Sequence, residues 1–422
     1  MLTQEETELL TRVGRGTPMG ELMRRYWMPI CLTEEIPEPD CDPYRVRILG
    51  EDLVAFRDSQ GRVGVMEERC PHRRASLAIG RNEEGGLRCL YHGWKIDVEG
   101  NVLDTPCEPD GSTFKDRVKH RAYPVREHAE LVWAYMGPAA LVPPFPTFEW
   151  SLLPPSHRSW AKSRAECNWL QGLEGNVDYA HATVLHSGWA IMGTWEHDDW
   201  HRPTKDTNPR HEVEDTAYGF RYAAISRHVD EPDRLKWVQA MSFAMPFHGL
   251  LGGQAHMFVP IDDEHYWNFN VFYNREQPVN HERHLAARHH VIGVDLNPDR
   301  TRIQTVANNF LQDREAMRAR RSFSGIAGNG PNQDMAVLET MGPISDRTEE
   351  HLGASDLAVI HVRQLLLDAV RTFQAGGEPR GLDPSIRWDQ IYGGTAVIPI
   401  DAPWQRVGEA VAGAATYSPW QR

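Results

Sequence analysis

The spacing of apolar and polar positions changes several times along the chain, and each change marks a predicted element. Over residues 1–30 the spacing is helical, with Pro18 near one start and Leu22, Tyr26 and Trp27 on the face expected to be buried. From Tyr44 the period becomes two. Tyr44-Arg45-Val46-Arg47-Ile48 alternates, Leu53-Val54-Ala55-Phe56 follows, and Asp58-Ser59-Gln60-Gly61 is a turn before Val63-Gly64-Val65. Short strands and polar turns continue from Trp94 through Glu99-Gly100-Asn101 to Val132-Trp133-Ala134-Tyr135, which predicts a small antiparallel β domain. The Pro- and Ala-rich stretch Gly137 to Pro146 reads as a boundary, dividing the chain into residues 1–145 and 146–422.

The second part mixes periods. Asn168 to Leu185 has no proline and carries an apolar stripe, so it predicts a helix; Arg302 to Arg321 and Asn332 to Met341 predict two more. Ser355 reads as the cap of a long helix through Phe373, stopped by Gly376-Gly377. Tyr218 to Tyr222, Trp237 to Phe243 and Tyr266 to Tyr273 read as strands. Strands and helices without regular βαβ alternation imply an α+β domain.

Composition narrows the function. The 422 residues are 41% hydrophobic and 25% charged, ordinary for a globular chain able to bury a large core. The net charge of −14 and the lack of a concentrated basic face argue against nucleic acid as a partner. The small group Arg318, Arg320, Arg321 reads as a solvated helix face. No apolar run approaches the ~18–20 residues that span a bilayer. The acidic start Met1-Leu2-Thr3-Gln4-Glu5-Glu6 does not resemble a signal peptide. The expected location is cytoplasmic, where the six cysteines are thiols or metal ligands rather than disulfides.

Two constellations carry chemistry. Cys70-Pro71-His72 is followed, after sixteen residues, by Cys89-Leu90-Tyr91-His92, so each half places one thiolate and one imidazole in a predicted β loop. A Rieske 2Fe–2S centre needs two cysteines on one iron and two histidines on the other. Gly80, Gly85, Gly86 and Gly93 let such loops pack closely. The competing reading is a structural zinc site, but zinc ligands usually come as Cys pairs and His pairs, which mixed halves disfavour. Cys31, Cys41, Cys107 and Cys167 have no partner motif and read as structural thiols.

The second constellation is Glu174-x3-Asp178-x2-His181-x4-His186. Asp178 and His181 share a helical face, and His186 suits a turn back toward a metal where the helix ends. Two histidines and one carboxylate on one face of Fe(II) leave the opposite positions open for O2 and substrate. Composition alone leaves the carboxylate open.

With both constellations read, the chain resembles the catalytic α-subunits of the Rieske non-haem iron ring-hydroxylating oxygenases, in particular their phthalate dioxygenase-like branch. The resemblance spans about residues 5–400 and rests on CPHRRASLAIGRNEEGGLRCLYHGWKIDVEG, NWLQGLEGNVDYAH and MGPISDRTEEHLGASD. It implies an N-terminal antiparallel Rieske domain followed by an α+β catalytic domain. It also implies that the third iron ligand lies late in the chain, in Gln333-Asp334-Met335 to Glu339, as Asp334. Asp313, Asp346 and Glu339 are the competing carboxylates, and helix capping is the plain alternative for Asp334. One departure is Arg74, where many members have glycine.

The resemblance further implies a NAD(P)H-dependent reductase as electron donor and head-to-tail trimers or dimers of trimers, with Asp178 bridging His181 and the next subunit's His92. The expected reaction is dioxygenation of an aromatic carboxylate, or O-demethylation of a methoxylated aromatic acid. A non-catalytic Rieske electron carrier is the rival class. Candidate ring contacts are Phe243, Phe247, Phe258 and Trp267; candidate carboxylate partners are Arg202, Lys205, Arg210 and Arg234. Because the chain is acidic overall, an anionic substrate depends on local contacts.

Overall fold

The computed structural model describes residues 1–186, 204, 206–327 and 330–408. Two compact units emerge: one is Arg12–Pro146 with Pro260–Asp262, the other Met1–Thr11, Thr147–Val259 and Asp263–Arg422. No helix among the described residues is long and apolar enough to cross a membrane.

The first unit holds three small antiparallel sheets. Tyr44–Ile48, Glu51–Arg57 and Val63–Glu67 form one; Arg81–Glu83, Gly86–Arg88, Lys95–Ile96 and Val102–Asp104 form the second. Trp27–Leu32, Leu131–Tyr135 and Val125–His128 form the third. The helical expectation for residues 1–30 therefore holds only for Gln4–Thr11 and Pro18–Met23. Pro29 cannot donate within a helix, and the all-buried run Trp27–Leu32 pairs with Leu131–Tyr135 instead, its register shifting at Pro29. Val54, Phe56, Met66, Leu77, Leu87 and Trp94 make a core that also contains Cys70 and Cys89.

The second unit is an antiparallel sheet of eight strands with helices packed on it. Its order is Arg158–Ala165, Tyr266–Tyr273, Gln254–Pro260, His248–Leu251, Leu235–Ala244, Gly219–Arg227 and Arg210–Asp215, with Gly394–Pro399 also pairing to Leu235–Ala244. Asn168 caps the helix Trp169–Val177 by accepting from Leu170 N at 3.0 Å. That helix lies unusually close to the sheet. A Cβ at Gly172 would sit 2.5 Å from the Tyr266 hydroxyl, and one at Gly249 would strike Asn176. Only glycine permits both approaches. The helix is shorter than the sequence suggests: Asp178 is extended, and Ala180–Thr183 is a separate 3-10 turn.

Residues 302–321 also depart from expectation. Asn309, Phe310 and Leu311 all have positive φ, so no continuous helix forms, and Asp313 caps only the short helix Arg314–Arg318. The Pro331–Thr340 helix appears as expected, and the long C-terminal helix runs Leu357–Gln374 with Asp356, not Ser355, at its cap.

A buried charge network holds the Trp169–Val177 helix. Arg347, fully buried, donates to both Glu174 oxygens (2.9 and 2.8 Å), and Arg363 donates to Glu174 at 2.6 Å and to Glu350 at 2.5 and 2.9 Å. Burial alone would raise the Glu174 pKa, but the two guanidiniums outweigh it and hold it below the usual range. Thus the MGPISDRTEEHLGASD segment does structural work through Arg347 and Glu350. Removing one member leaves an uncompensated buried charge. Arg347→Met is expected to lower unfolding free energy by about 3–5 kcal/mol, measured by chemical denaturation; an unchanged midpoint would contradict the network's role.

Candidate metal centres

Two loops of the first unit repeat one backbone pattern. Cys70 N donates to Ala75 O at 2.8 Å and Arg74 N to Cys70 O at 3.0 Å; Cys89 N donates to Trp94 O at 2.8 Å and Gly93 N to Cys89 O at 3.0 Å. The turn residue is left-handed in both, Arg74 at φ 65° and Gly93 at φ 72°. Glycine adopts this freely, whereas arginine gives up about 1–2 kcal/mol. Arg74 keeps the shape while its side chain pairs with Glu67, so the departure from the family pattern changes the surface and not the loop.

The loops gather sulfur and nitrogen. Cys70 and Cys89 are free, buried thiols, and burial, with Cys89 adding, pushes Cys70 up to about 11. The His72 and His92 rings lie 4.4 Å apart, and His72 stacks on Trp94 at 4.7 Å. His92 Nδ1 is buried without a hydrogen-bond partner. Two buried thiols beside an orphaned imidazole nitrogen fit a Rieske cluster. Among the described residues, the three-donor group within 4.8 Å lies elsewhere.

That compact group is His181, His186 and Asp334. His186 Nε2 is 2.8 Å and His181 Nε2 3.5 Å from Asp334 Oδ1. Gln333 Nε2 donates to Ser324 Oγ (3.1 Å), so its Oε1 accepts from His186 Nδ1 (2.8 Å). This leaves a lone pair on His186 Nε2 facing a carboxylate oxygen, an arrangement that calls for a cation between them. Burial would lower the His181 pKa, but Asp178 and Asp334 outweigh it and bring it to about 10. The same histidines hold Asp334 well below the carboxylate range against its burial. Both observations express one demand for positive charge, which a metal ion meets.

The other carboxylates are engaged elsewhere. Asp313 accepts from Ala316 N (2.8 Å), Asp346 from Thr348 N (3.0 Å), and Glu339, raised to about 7 by burial, from Glu166 N (3.2 Å). Asp334 sits inside its helix with Gly330 at the cap, so capping does not account for it. Asp178 Oδ2 lies 3.5 Å from His181 Nδ1, and its Oδ1 accepts from Ala180 N at 2.7 Å.

The substrate candidates fare differently. Arg210 and Arg234 are exposed and paired with Glu212 and Glu231. Arg202 and Lys205 lie outside the described residues. Phe243 and Phe247 are fully buried, and Trp267 packs under the Lys162 ammonium at 4.4 Å. Phe258 does approach the site: its ring lies 5.8 Å from Tyr266, whose hydroxyl reaches Met335 Sδ at 3.6 Å, beside Asp334.

Residues 26–124 match the Rieske [2Fe-2S] domain family, and residues 134–418 match the LigXa C-terminal domain like family. The chain is 45% identical over 416 residues to the phthalate 4,5-dioxygenase oxygenase subunit of Pseudomonas putida, covering 96% of this chain and 94% of that one. The chain belongs to the Rieske oxygenases, as an oxygenase subunit. This Rieske oxygenase is also 34% identical over 397 residues to the 5,5'-dehydrodivanillate O-demethylase oxygenase subunit of Sphingobium sp. (strain NBRC 103272 / SYK-6), covering 92% and 85% of the two chains. The structure of Pseudomonas putida CBB5 NdmA QL mutant with theobromine shares the fold, with TM-score 0.60 and 18% identity over 91% of this chain and 99% of that one. The family carries a Rieske 2Fe–2S cluster and a mononuclear iron.

Cys70→Ser or Cys89→Ser is expected to abolish the visible Rieske spectrum. His181→Ala and Asp334→Ala are expected to keep it while iron falls from about three to about two atoms per chain. An Asp334 variant retaining all its iron would assign the third ligand to another carboxylate.

Proposed function

We propose that Cys70, His72, Cys89 and His92 hold the 2Fe–2S cluster, that His181, His186 and Asp334 hold the mononuclear iron, and that the enzyme dioxygenates an aromatic carboxylate. Electrons come from a NAD(P)H-dependent reductase. The observation that carries the catalytic reading is the compact His181–His186–Asp334 group, whose His181 and Asp334 side chains remain partly exposed at 25% and 33%. A purely electron-carrying Rieske protein has no use for such a group. The relatives named for phthalate and 5,5'-dehydrodivanillate support an aromatic acid.

When bound, the cluster delivers single electrons and the iron activates O2 for insertion into the substrate. The protein's own residues supply orientation. Gln333 fixes which nitrogen of His186 faces the metal, and Asp178 turns His181 so that Nε2 does the same. Asp178 is 25% exposed, which suits a second task. We place it at the junction with a neighbouring subunit in a ring of three, accepting from that subunit's His92 imidazole and linking the two metal sites. A heterologous contact of this kind closes when the rotation is threefold.

Asp178→Asn is then expected to keep both metals and lose turnover. Mixed assemblies of a His92 variant with a His181 variant should regain part of it; no regain, with mixing demonstrated, would place transfer within one subunit. Labelled oxygen separates the two chemistries. Incorporation of both atoms of 18O2 into an aromatic acid supports dioxygenation. Formaldehyde released from a methoxybenzoate would establish the O-demethylase reading suggested by the second relative.

A further inference from the structure

The two histidines of the cluster loops have different aromatic surroundings. His72 stacks flat on Trp94, with 4.7 Å between ring centres and 1° between planes, and Phe114 packs edge-on against the same indole at 5.7 Å. Trp94 is buried. His92 instead lies against Tyr91, ring centres 3.8 Å apart, and Tyr91 is 54% exposed. The Arg73 guanidinium caps that exposed ring, 5.2 Å from its centre. One histidine therefore leans on the core, and the other leads outward through a ring to a cation.

The two arginines that follow His72 are not alike. Arg74 pairs with Glu67. Arg73 pairs with no carboxylate among the described residues, and the contact that holds its guanidinium is the Tyr91 ring. Attraction between a cation and the face of an aromatic ring favours one position of a long, flexible side chain. The position favoured here is beside His92, on the exposed side of the loops. Trp94 and Phe114, on the His72 side, bring no charge.

We propose that Arg73, seated on Tyr91, sets how readily the Rieske cluster accepts an electron, its charge favouring the reduced state and Tyr91 serving as the positioning residue that keeps it beside His92. The inference rests on the assignment of His72 and His92 as cluster ligands. Each reduction adds one electron from the reductase to the cluster, and no bond is made or broken. The added negative charge is stabilised by a cation close by. Net charge and exposure to solvent are among the factors that set the potential of such a cluster. Arg74 has less to offer, since Glu67 already offsets its charge.

The test is a spectroelectrochemical titration of the cluster-loaded enzyme, following the visible Rieske absorption. At a fixed applied potential, Arg73→Gln is expected to lower the ratio of reduced to oxidised cluster by about three- to tenfold, a fall in midpoint of about 30–60 mV. Arg73→Lys, which keeps the charge, should recover most of that loss. Tyr91→Leu, which keeps Arg73 but removes its seat, should lose part of it, and it serves as the independent variant should Arg73→Gln not take up the cluster. Adding Tyr91→Leu to Arg73→Gln should lower the potential little further, because both changes break one interaction. Salt should narrow the gap between wild type and Arg73→Gln, since the site is exposed. A wild-type potential in Arg73→Gln overturns the inference, and an Arg73→Lys potential as low as that of Arg73→Gln overturns the role of charge. A wild-type potential in Tyr91→Leu overturns the seat. A His92→Ala variant that kept the Rieske spectrum would instead overturn the ligand assignment.

Discussion

At the centre of the catalytic unit, a nitrogen lone pair and a carboxylate oxygen face each other at 2.8 Å, His186 Nε2 against Asp334 Oδ1. Two acceptors held so closely repel unless positive charge lies between them. The rest of the unit keeps them there. Gln333 prevents His186 from turning its N–H toward Asp334, and Asp178 orients His181 in the same sense. The close approach at Gly172 sets the helix Trp169–Val177, which leads into Asp178 and the turn bearing His181, against the sheet. A preorganised metal site is thus a region of stored electrostatic cost that binding relieves.

Buried charge is handled in two contrasting ways. In the network of Glu174, Glu350, Arg347 and Arg363, two carboxylates meet two guanidiniums with short, multiple hydrogen bonds. That network is complete and holds the Trp169–Val177 helix in place. Around Asp334, the buried Arg288 and Arg302 share its field, and Arg302 also lies in the field of Glu339 and Asp295.

The cluster loops show how backbone shape outlasts residue identity. Gly93 and Arg74 occupy equivalent left-handed turn positions although only one is glycine. The hydrogen bonds closing each loop are main-chain bonds, and Cys70 and Cys89 are rooted in the same core as Phe56 and Trp94. The arginine's conformational cost is therefore borne by a frame that does not depend on its side chain.

What the sequence by itself determined was local. The cluster loops were legible because each keeps its Cys and His two or three residues apart, and His181 and His186 because they lie within two turns of one another. The β domain, the strand positions and the glycine-stopped terminal helix follow from short-range period and punctuation. The Trp27–Leu32 strand and the broken 302–321 segment were not legible, because strand pairing with Leu131–Tyr135 and three consecutive left-handed residues override local spacing. Spacing alone left open which carboxylate joins His186, and only the family resemblance pointed to Asp334; the fold brings the Gln333-Asp334 pair to His186 across some 147 positions, whereas Asp313, Glu339 and Asp346 are engaged elsewhere. Tertiary structure also decided which arginines are buried. Arg210 and Arg288 look alike along the chain, and only folding exposes the first to water and buries the second in the field of Asp334, where loss of solvent lowers its pKa.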